Sequence, residues 1–376
     1  MLKLARLEIL DVEIPFKFTF RHSLSSRSVG HSVLVRATDP DGRVGYGECV
    51  PRSYVTGETP ETVRRDLQDG LLPPFLGATF GTYPELIDAL MLRLEGLPRS
   101  SHAAFCALEL ALLDLGGRVF GESAGSVVGP LLHESVRYSG ILTAGGPEQV
   151  TQSLKALSKF GFASVKLKVG EDLEVDRAAL GAAREILGED CSLRIDANCA
   201  WTAEQALENL EALSEFRLAG VEQPLAREDF DGLVWLTERS PVPVILDESL
   251  ASYEDARRLA DARAGHVFNI RVSKCGGLLN ATRIRDLGRA AGIDCQLGAQ
   301  VGETALLSAA GRQFATRSEK VLFLEGSYGT LLLEEDLGRT DVTIEPGGFA
   351  PALLDVGLGV EIDPERLARR VQSKVS

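Results

Sequence analysis

Val165-Lys166-Leu167-Lys168-Val169, Arg194-Ile195-Asp196-Ala197-Asn198, Val221-Glu222-Gln223-Pro224, Val244-Ile245-Leu246-Asp247-Glu248-Ser249 and Phe268-Asn269-Ile270-Arg271-Val272-Ser273-Lys274 form a series of short apolar runs. Each run delivers an ionisable residue at or just past its end. The delivered residues Lys168, Asp196, Glu222, Asp247 and Lys274 are 28, 26, 25 and 27 positions apart. One strand plus one helix takes about that many residues, so each new strand carries its charge to the same rim. Working outward, candidate strands fall at 138–142, 164–169, 192–196, 220–222, 242–247, 267–270, 294–297 and 321–325. Helical stretches such as 203–214 and 253–261 lie between them. Eight strands alternating with helices predict a (β/α)₈ barrel. An open doubly wound sheet is the competing architecture, but no G-x-G-x-x-G follows a strand.

The region before the barrel reads differently. Residues 2–14 and 32–49 alternate like strands, and Asp39-Pro40-Asp41-Gly42 turns 31–37 back onto 45–50 as a hairpin. Thr59-Pro60-Glu61 is a helix start with Thr59 as N-cap, and 102–119 is an Ala/Leu-rich helix that stops at Gly116-Gly117 or at Gly121. The expected organisation is an α+β capping domain at 1–125, the barrel at 126–340 and a tail at 341–376 that returns to the cap.

The chain has 376 residues, enough for a barrel plus a smaller partner, with 44% hydrophobic and 25% charged residues. A formal net charge of −14 argues against nucleic acid or an anionic membrane as partner. No apolar run is long enough to span a bilayer, and the N-terminus is charged too early for a signal peptide. The six cysteines form no C-x-x-C pair and read as reduced thiols of a cytoplasmic protein.

The three acids carry the chemistry. Carboxylates converging on one rim repel each other unless a cation binds them, and an all-oxygen set suits Mg²⁺, with Mn²⁺ as a substitute. Any one acid alone could instead cap a helix or pair with arginine; three in register argue otherwise. Lys166 and Lys168, at i and i+2, share the inward face of their strand. Counting strands from Tyr138, Lys168 ends the second and Lys274 the sixth, opposite each other, with the acids between. That layout suits proton transfer at a carbon held between two lysines, the metal neutralising charge on the substrate carboxylate.

With these residues the chain resembles the muconate-lactonising subgroup of the enolase superfamily. The likeness extends to Gly45-Tyr46-Gly47-Glu48, to the helix at 103–116 and to Ser273-Lys274-Cys275-Gly276-Gly277. Mechanisms with a lysine or histidine base and Mg²⁺ are a known property of that superfamily. The resemblance implies Asp196, Glu222 and Asp247 as metal ligands and Lys168 and Lys274 as the acid/base pair. It implies Lys166 on the substrate carboxylate, and Asn198 and Glu248 as supports of the ligands. Loops 16–28 and 52–59 of the cap would close over the site, with Arg21, His22, Arg52 and Tyr54 as substrate contacts and Glu325 as a distal one. Dipeptide-epimerising relatives carry Asp-x-Asp after the eighth strand; Leu324-Glu325-Gly326-Ser327 has a single acid, which weighs against a dipeptide. Gln300-Val301-Gly302-Glu303-Thr304 keeps the acid of a Glu-Ser pair common in relatives but has Thr304 in place of the serine.

The leading expectation is therefore a metal-dependent isomerase that removes the proton α to a carboxylate, as a racemase or epimerase of an amino-acid derivative. Muconate-type cycloisomerisation and syn-dehydration of the succinylbenzoate synthase type are the alternatives. A barrel that only binds would have lost a lysine, and a metal hydrolase would want histidine ligands. The expected partner is a small carboxylate substrate, and a homo-oligomer is expected.

Overall fold

The computed structural model describes residues 1–22, 25–142, 145–170 and 172–375, with the side chains of 18–27 outside the description. The N-terminal region contains β1 (Leu2–Lys3), β2 (Arg6–His22), β3 (Ser25–Thr38), β4 (Val44–Cys49), α1 (Pro60–Asp66), β5 (Thr79–Phe80), α2 (Tyr83–Leu94) and α3 (His102–Phe120). The predicted Asp39 turn forms: the Asp39 carboxylate accepts from the backbone N–H groups of Asp41 and Arg43, and Gly42 takes φ +83°. Thr59 caps α1 in a capping box with Thr62. Helix α3 runs to Phe120 and ends on Gly121 in the left-handed conformation, φ 77°.

The segment 16–28, read as a loop, is mostly strand: β2 and β3 pair from Arg6–Thr38 to His22–Ser25, with a register shift between Pro15 and Phe20. The signal was present, because Phe16-Lys17-Phe18-Thr19-Phe20 alternates with period two beyond the proline. Segment 52–59 is a chain of turns without regular structure, as expected.

After β6 (Ser135–Arg137), the chain alternates β7 (Gly140–Leu142), α4 (Pro147–Phe160), β8 (Ser164–Lys168), α5 (Leu173–Leu187), β9 (Ser192–Asp196), α6 (Ala203–Ala212), β10 (Val221–Glu222), α7 (Phe230–Arg239), β11 (Val244–Leu246), α8 (Tyr253–Asp261), β12 (Val267–Ile270), α9 (Gly277–Ala290), β13 (Asp294–Leu297) and α10 (Ala305–Thr316). Strands β7 to β13 form one parallel sheet in chain order. The expected eighth strand at 321–325 is not a regular strand. It still closes the ring: Leu324 bridges Leu297, Glu325 N–H donates to Leu297 O at 2.8 Å, and Ser139 N–H donates to Leu324 O at 2.8 Å. The architecture is a (β/α)₈-type barrel preceded in the sequence by a domain built on an antiparallel sheet.

The last segment adds β14 (Phe349–Pro351), which pairs with β6, and β15 (Val371–Val375), which pairs antiparallel with β2 at the edge of the sheet β15-β2-β3-β4. The C-terminal rim of the barrel meets the N-terminal region. Val50 N–H donates to Ser273 Oγ at 3.0 Å, Arg227 donates to Val55 O at 3.0 Å, and the Arg52 guanidinium reaches Val301 O. All three barrel residues follow strand ends, so segment 52–59 lies over that rim. No described helix is long and apolar enough to cross a membrane, and the six cysteines are unpaired.

Candidate active site

Strand pairing fixes the first part of the site. Lys168 pairs in register with Asp196, and Asp196 with Glu222, so three strands place their last residues side by side. Glu222 pairs with Ile245, which puts Asp247 two residues further on, just past the end of β11. Asp196, Glu222 and Asp247 are at most 2% exposed.

Their charges are answered by a ring of cations. The Lys166 ammonium donates to Glu222 Oε1 at 2.9 Å and Glu325 Oε2 at 3.0 Å, and lies 3.5 Å from Asp196 Oδ2. Burial opposes its charge, but Glu222, then Glu325 and Asp196, outweigh burial and push the Lys166 pKa up. Lys168 donates to Asn198 Oδ1 at 2.7 Å and stands 3.8 Å from Asp196 Oδ2. Lys274 donates to Asp247 Oδ1 and Asp247 O, both at 2.7 Å, and to Asn269 O at 3.0 Å. The Arg271 guanidinium binds the Asp247 carboxylate and lies 3.8 Å from Glu222 Oε1.

Asn198 holds the acids and the base together. Its backbone sits at φ 44°, its N–H donates to Asp196 Oδ1 at 3.1 Å, and its amide donates to Glu248 Oε1 at 3.4 Å. Burial, then the charges of Asp247 and Asp196, push Glu248 up to about 8. Burial and then Glu222 also raise Asp196.

Among the described residues no three acidic, histidine or cysteine side chains converge tightly enough to hold an ion as they stand. The acids are turned toward Lys166, Lys274 and Arg271 instead. The donor chemistry nevertheless fits Mg²⁺: three carboxylates come from adjacent strand ends, all oxygen, and the fully buried Glu248 Oε2 has no hydrogen-bond partner. Burial first and neighbouring carboxylates second raise Asp196 and Glu248, and a bound cation would offset both.

The expected substrate contacts fare unevenly. Arg21 and His22 are on β2, and their side chains lie outside the described residues. Tyr54 is exposed on the turn after β4. Glu325 is 3% exposed, and its carboxylate is held between Lys166 and Arg194, where it serves as their counter-ion. Lys166 is equally enclosed, at 3% exposed, behind the acids. Glu303 accepts from Gln300 N–H at 2.6 Å within its own loop, and burial raises it to about 8.

Sequence reading missed Arg194, Asn269, Arg271 and Gln296. The period-two rule could have found them: Arg194 precedes Asp196 by two, and Arg271 follows Asn269 by two. Asn269 and Gln296 donate to Glu222 at 3.1 and 2.8 Å and fix its carboxylate.

The chain matches two family patterns. One is described as enolase C-terminal domain-like, over residues 149–366; the other is the N-terminal domain of mandelate racemase/muconate lactonizing enzyme, over 5–129. It is similar to N-succinyl-L-Arg/Lys racemase of Bacillus cereus, 27% identical over 97% of each chain. The crystal structure of that racemase superposes with a TM-score of 0.91, at 26% identity over 99% of each chain. Muconate cycloisomerase 1 of Pseudomonas putida is 29% identical over 93% of this chain and 92% of its own. A dipeptide epimerase of Cytophaga hutchinsonii, solved with Mg and D-Ala-L-Val, superposes with a TM-score of 0.90 at 25% identity, covering 100% of this chain and 99% of that one. With barrel, site geometry and both matched regions in agreement, the chain belongs to the enolase superfamily, in its mandelate racemase/muconate lactonizing enzyme branch.

Proposed function

We propose that this protein is a Mg²⁺-dependent isomerase that removes the proton α to a substrate carboxylate. The observation that carries the reading is the register-locked row Lys168, Asp196, Glu222, with Asp247 on the next strand. Asp196, Glu222 and Asp247 would hold the ion, and Mn²⁺ would serve in its place. When bound, the ion neutralises charge gathering on the substrate carboxylate and favours the neutral form of a nearby lysine amine. Lys168 takes the α-proton, Asn198 orients its amine, and Lys166 holds Glu222 charged and in place. Lys274 holds the strand end that carries Asp247.

The relatives' names favour racemisation or epimerisation of an amino-acid derivative as the reaction. Muconate-type cycloisomerisation is the second reading, favoured by Arg271 standing at the sixth strand end where a second amine was expected. Glu325 is spent on Lys166 and Arg194, which supports an N-acylated or otherwise uncharged distal group over a free ammonium. The division into a cap at 1–125 and 341–376 and a barrel at 126–340 is part of the proposal, supported by the pairing of β15 with β2. So is a homo-oligomer, supported by exposed Leu131, Leu132, Phe349 and Leu354 around the β6–β14 pair. Cytoplasmic location completes it, in keeping with six unpaired thiols.

The test is α-proton exchange in D₂O over N-succinyl amino acids, dipeptides and muconolactone. Chelation should abolish exchange and Mg²⁺ restore it. Asp247→Asn should lower Mg²⁺ affinity by calorimetry, by more than the roughly 10–100-fold that follows the loss of a residue merely supporting a ligand. Full exchange after exhaustive chelation would refute the metal.

A further inference from the structure

We infer that Arg271, not Lys274, is the cation that the barrel presents to the substrate opposite Lys168, and that Lys274 is a positioning residue for Asp247. The inference rests on the α-proton reading above and separates its two branches.

Alternation along β12 supplies the first argument. The Asn269 side chain points into the barrel, since it donates to Glu222 Oε1. Two residues on and one past the end of the strand, Arg271 keeps to that side, its guanidinium 3.8 Å from the same Glu222 Oε1. Its fork spans the Asp247 carboxylate and Gln300 Oε1, the latter at 3.1 Å. Because β8 and β12 are the second and sixth strands of the ring, Arg271 stands across the three acids from Lys168.

Donor counting supplies the second. An ammonium has three hydrogens. Those of Lys274 meet Asp247 Oδ1, Asp247 O and Asn269 O, two of them main-chain carbonyls at strand ends. Nothing is left for a ligand, and the residue lies in the turn beyond β12 rather than on the strand.

Access supplies the third. Side-chain exposure is 17% for Lys168 and 13% for Arg271, against 3% for Lys166 and 0% for Lys274 and Arg194. Lys168 and Arg271 are the cations of this cluster that open space reaches.

The chemical consequence follows from the two groups. A guanidinium keeps its proton at neutral pH and binds carboxylate oxygens with a planar fork. Lys168 takes the α-hydrogen as a proton, the C–H electron pair moves into the carboxylate, and the same amine returns the proton to carbon. Arg271 steadies the negative charge from the far side without exchanging a proton with carbon. The site is thus built for single-base chemistry on one face.

The test uses the full chain with Mg²⁺ and two arms. In the first, lysine amines are reductively methylated under native conditions and located by peptide mass spectrometry. Lys168 should label about tenfold faster than Lys274 or more, as exposure dictates. Lys274→Met, which strands two carbonyls and a carboxylate oxygen, should lower Tm by several degrees, and Arg271→Lys should not. Equal labelling, or an unchanged Tm in Lys274→Met, overturns the assignment. In the second arm, N-succinyl-L- and N-succinyl-D-amino acids are followed separately in D₂O. Wild type should exchange one enantiomer, and Arg271→Lys should raise exchange of the other by about 10²-fold. Comparable wild-type exchange of both enantiomers, with one lost in Lys274→Met, overturns it. Absence of wild-type exchange on every probe counts against the α-proton reading alone, and the first arm then decides the role of Arg271.

Discussion

Glu325 shows how a single residue changes meaning between sequence and fold. In the sequence it is an acid after the last strand, placed to greet a ligand. In the barrel it is the buried counter-ion paired with Lys166 and Arg194. Arg194 also stacks on Phe323 at 4.4 Å and donates to Ser139 and Ser164, so its position is fixed from several sides. Removing the charge at Glu325 leaves two buried cations undercompensated, which costs about 3–5 kcal/mol when one partner of a buried pair is lost. Glu325→Gln should therefore lower the stability measured by urea unfolding by that order. A change below about 1 kcal/mol would mean that the pair is solvated. Period two tells which side a side chain takes along a strand: Lys168 ends β8, Arg271 is the first residue past β12, and Lys274 lies in the turn beyond, where that rule has stopped.

At the scale of elements, carboxylates from the N-terminal region cap helices of the barrel. Glu48, at the end of β4, accepts from Thr304 and Leu307 N–H at the start of α10. Glu109, in α3, accepts from Leu278 and Leu279 N–H at the start of α9, at 2.6 and 2.9 Å. Helix N-termini offer unpaired N–H groups and positive potential, so these contacts orient one region against the other. The close approach needs glycine: a Cβ on Gly47 would lie 2.1 Å from Ala107 O of α3. Burial raises Glu109 to about 8 and Glu48 to about 7 from an ordinary glutamate value of 4.5. The folded state then holds protons that the unfolded chain has released. This contribution is complete below the ordinary glutamate value and is lost as pH rises through about 7 to 8. Tm should fall between about pH 5 and pH 8.5, and Glu109→Gln should flatten that fall while costing about 1 kcal/mol through one unpaired N–H. An identical slope in the variant would show that Glu109 keeps its ordinary pKa when folded.

The whole molecule is held shut by its last strand. β15 covers the edge of β2 from Ile9 to Val12, Lys374 binds Glu8 Oε1 at 2.5 Å, and the Ser373 hydroxyl donates to Asp11. An uncovered edge strand invites pairing with another chain. Deleting residues 371–376 should lower Tm and shift the protein to larger species in light scattering. A truncated protein of unchanged size and Tm would show that the pairing contributes little.

The sequence by itself determined the barrel, because alternating apolar runs at a spacing of one βα unit admit few other folds. It also determined the convergence of Lys168, Asp196, Glu222 and Asp247, since strand ends in a parallel ring share a rim. The hairpin turn at Asp39, the capping box at Thr59 and the stop at Gly121 were legible because their causes are local. Only the tertiary structure decided which cation answers which acid. Whether Lys166 and Glu325 meet a ligand or each other depends on strands 159 residues apart in sequence. Whether Lys274 or Arg271 has free hydrogens depends on carbonyls that the folded strand ends bring within reach. Local periodicity carries direction along one element; charge pairing is a property of elements assembled, and no stretch of sequence contains it.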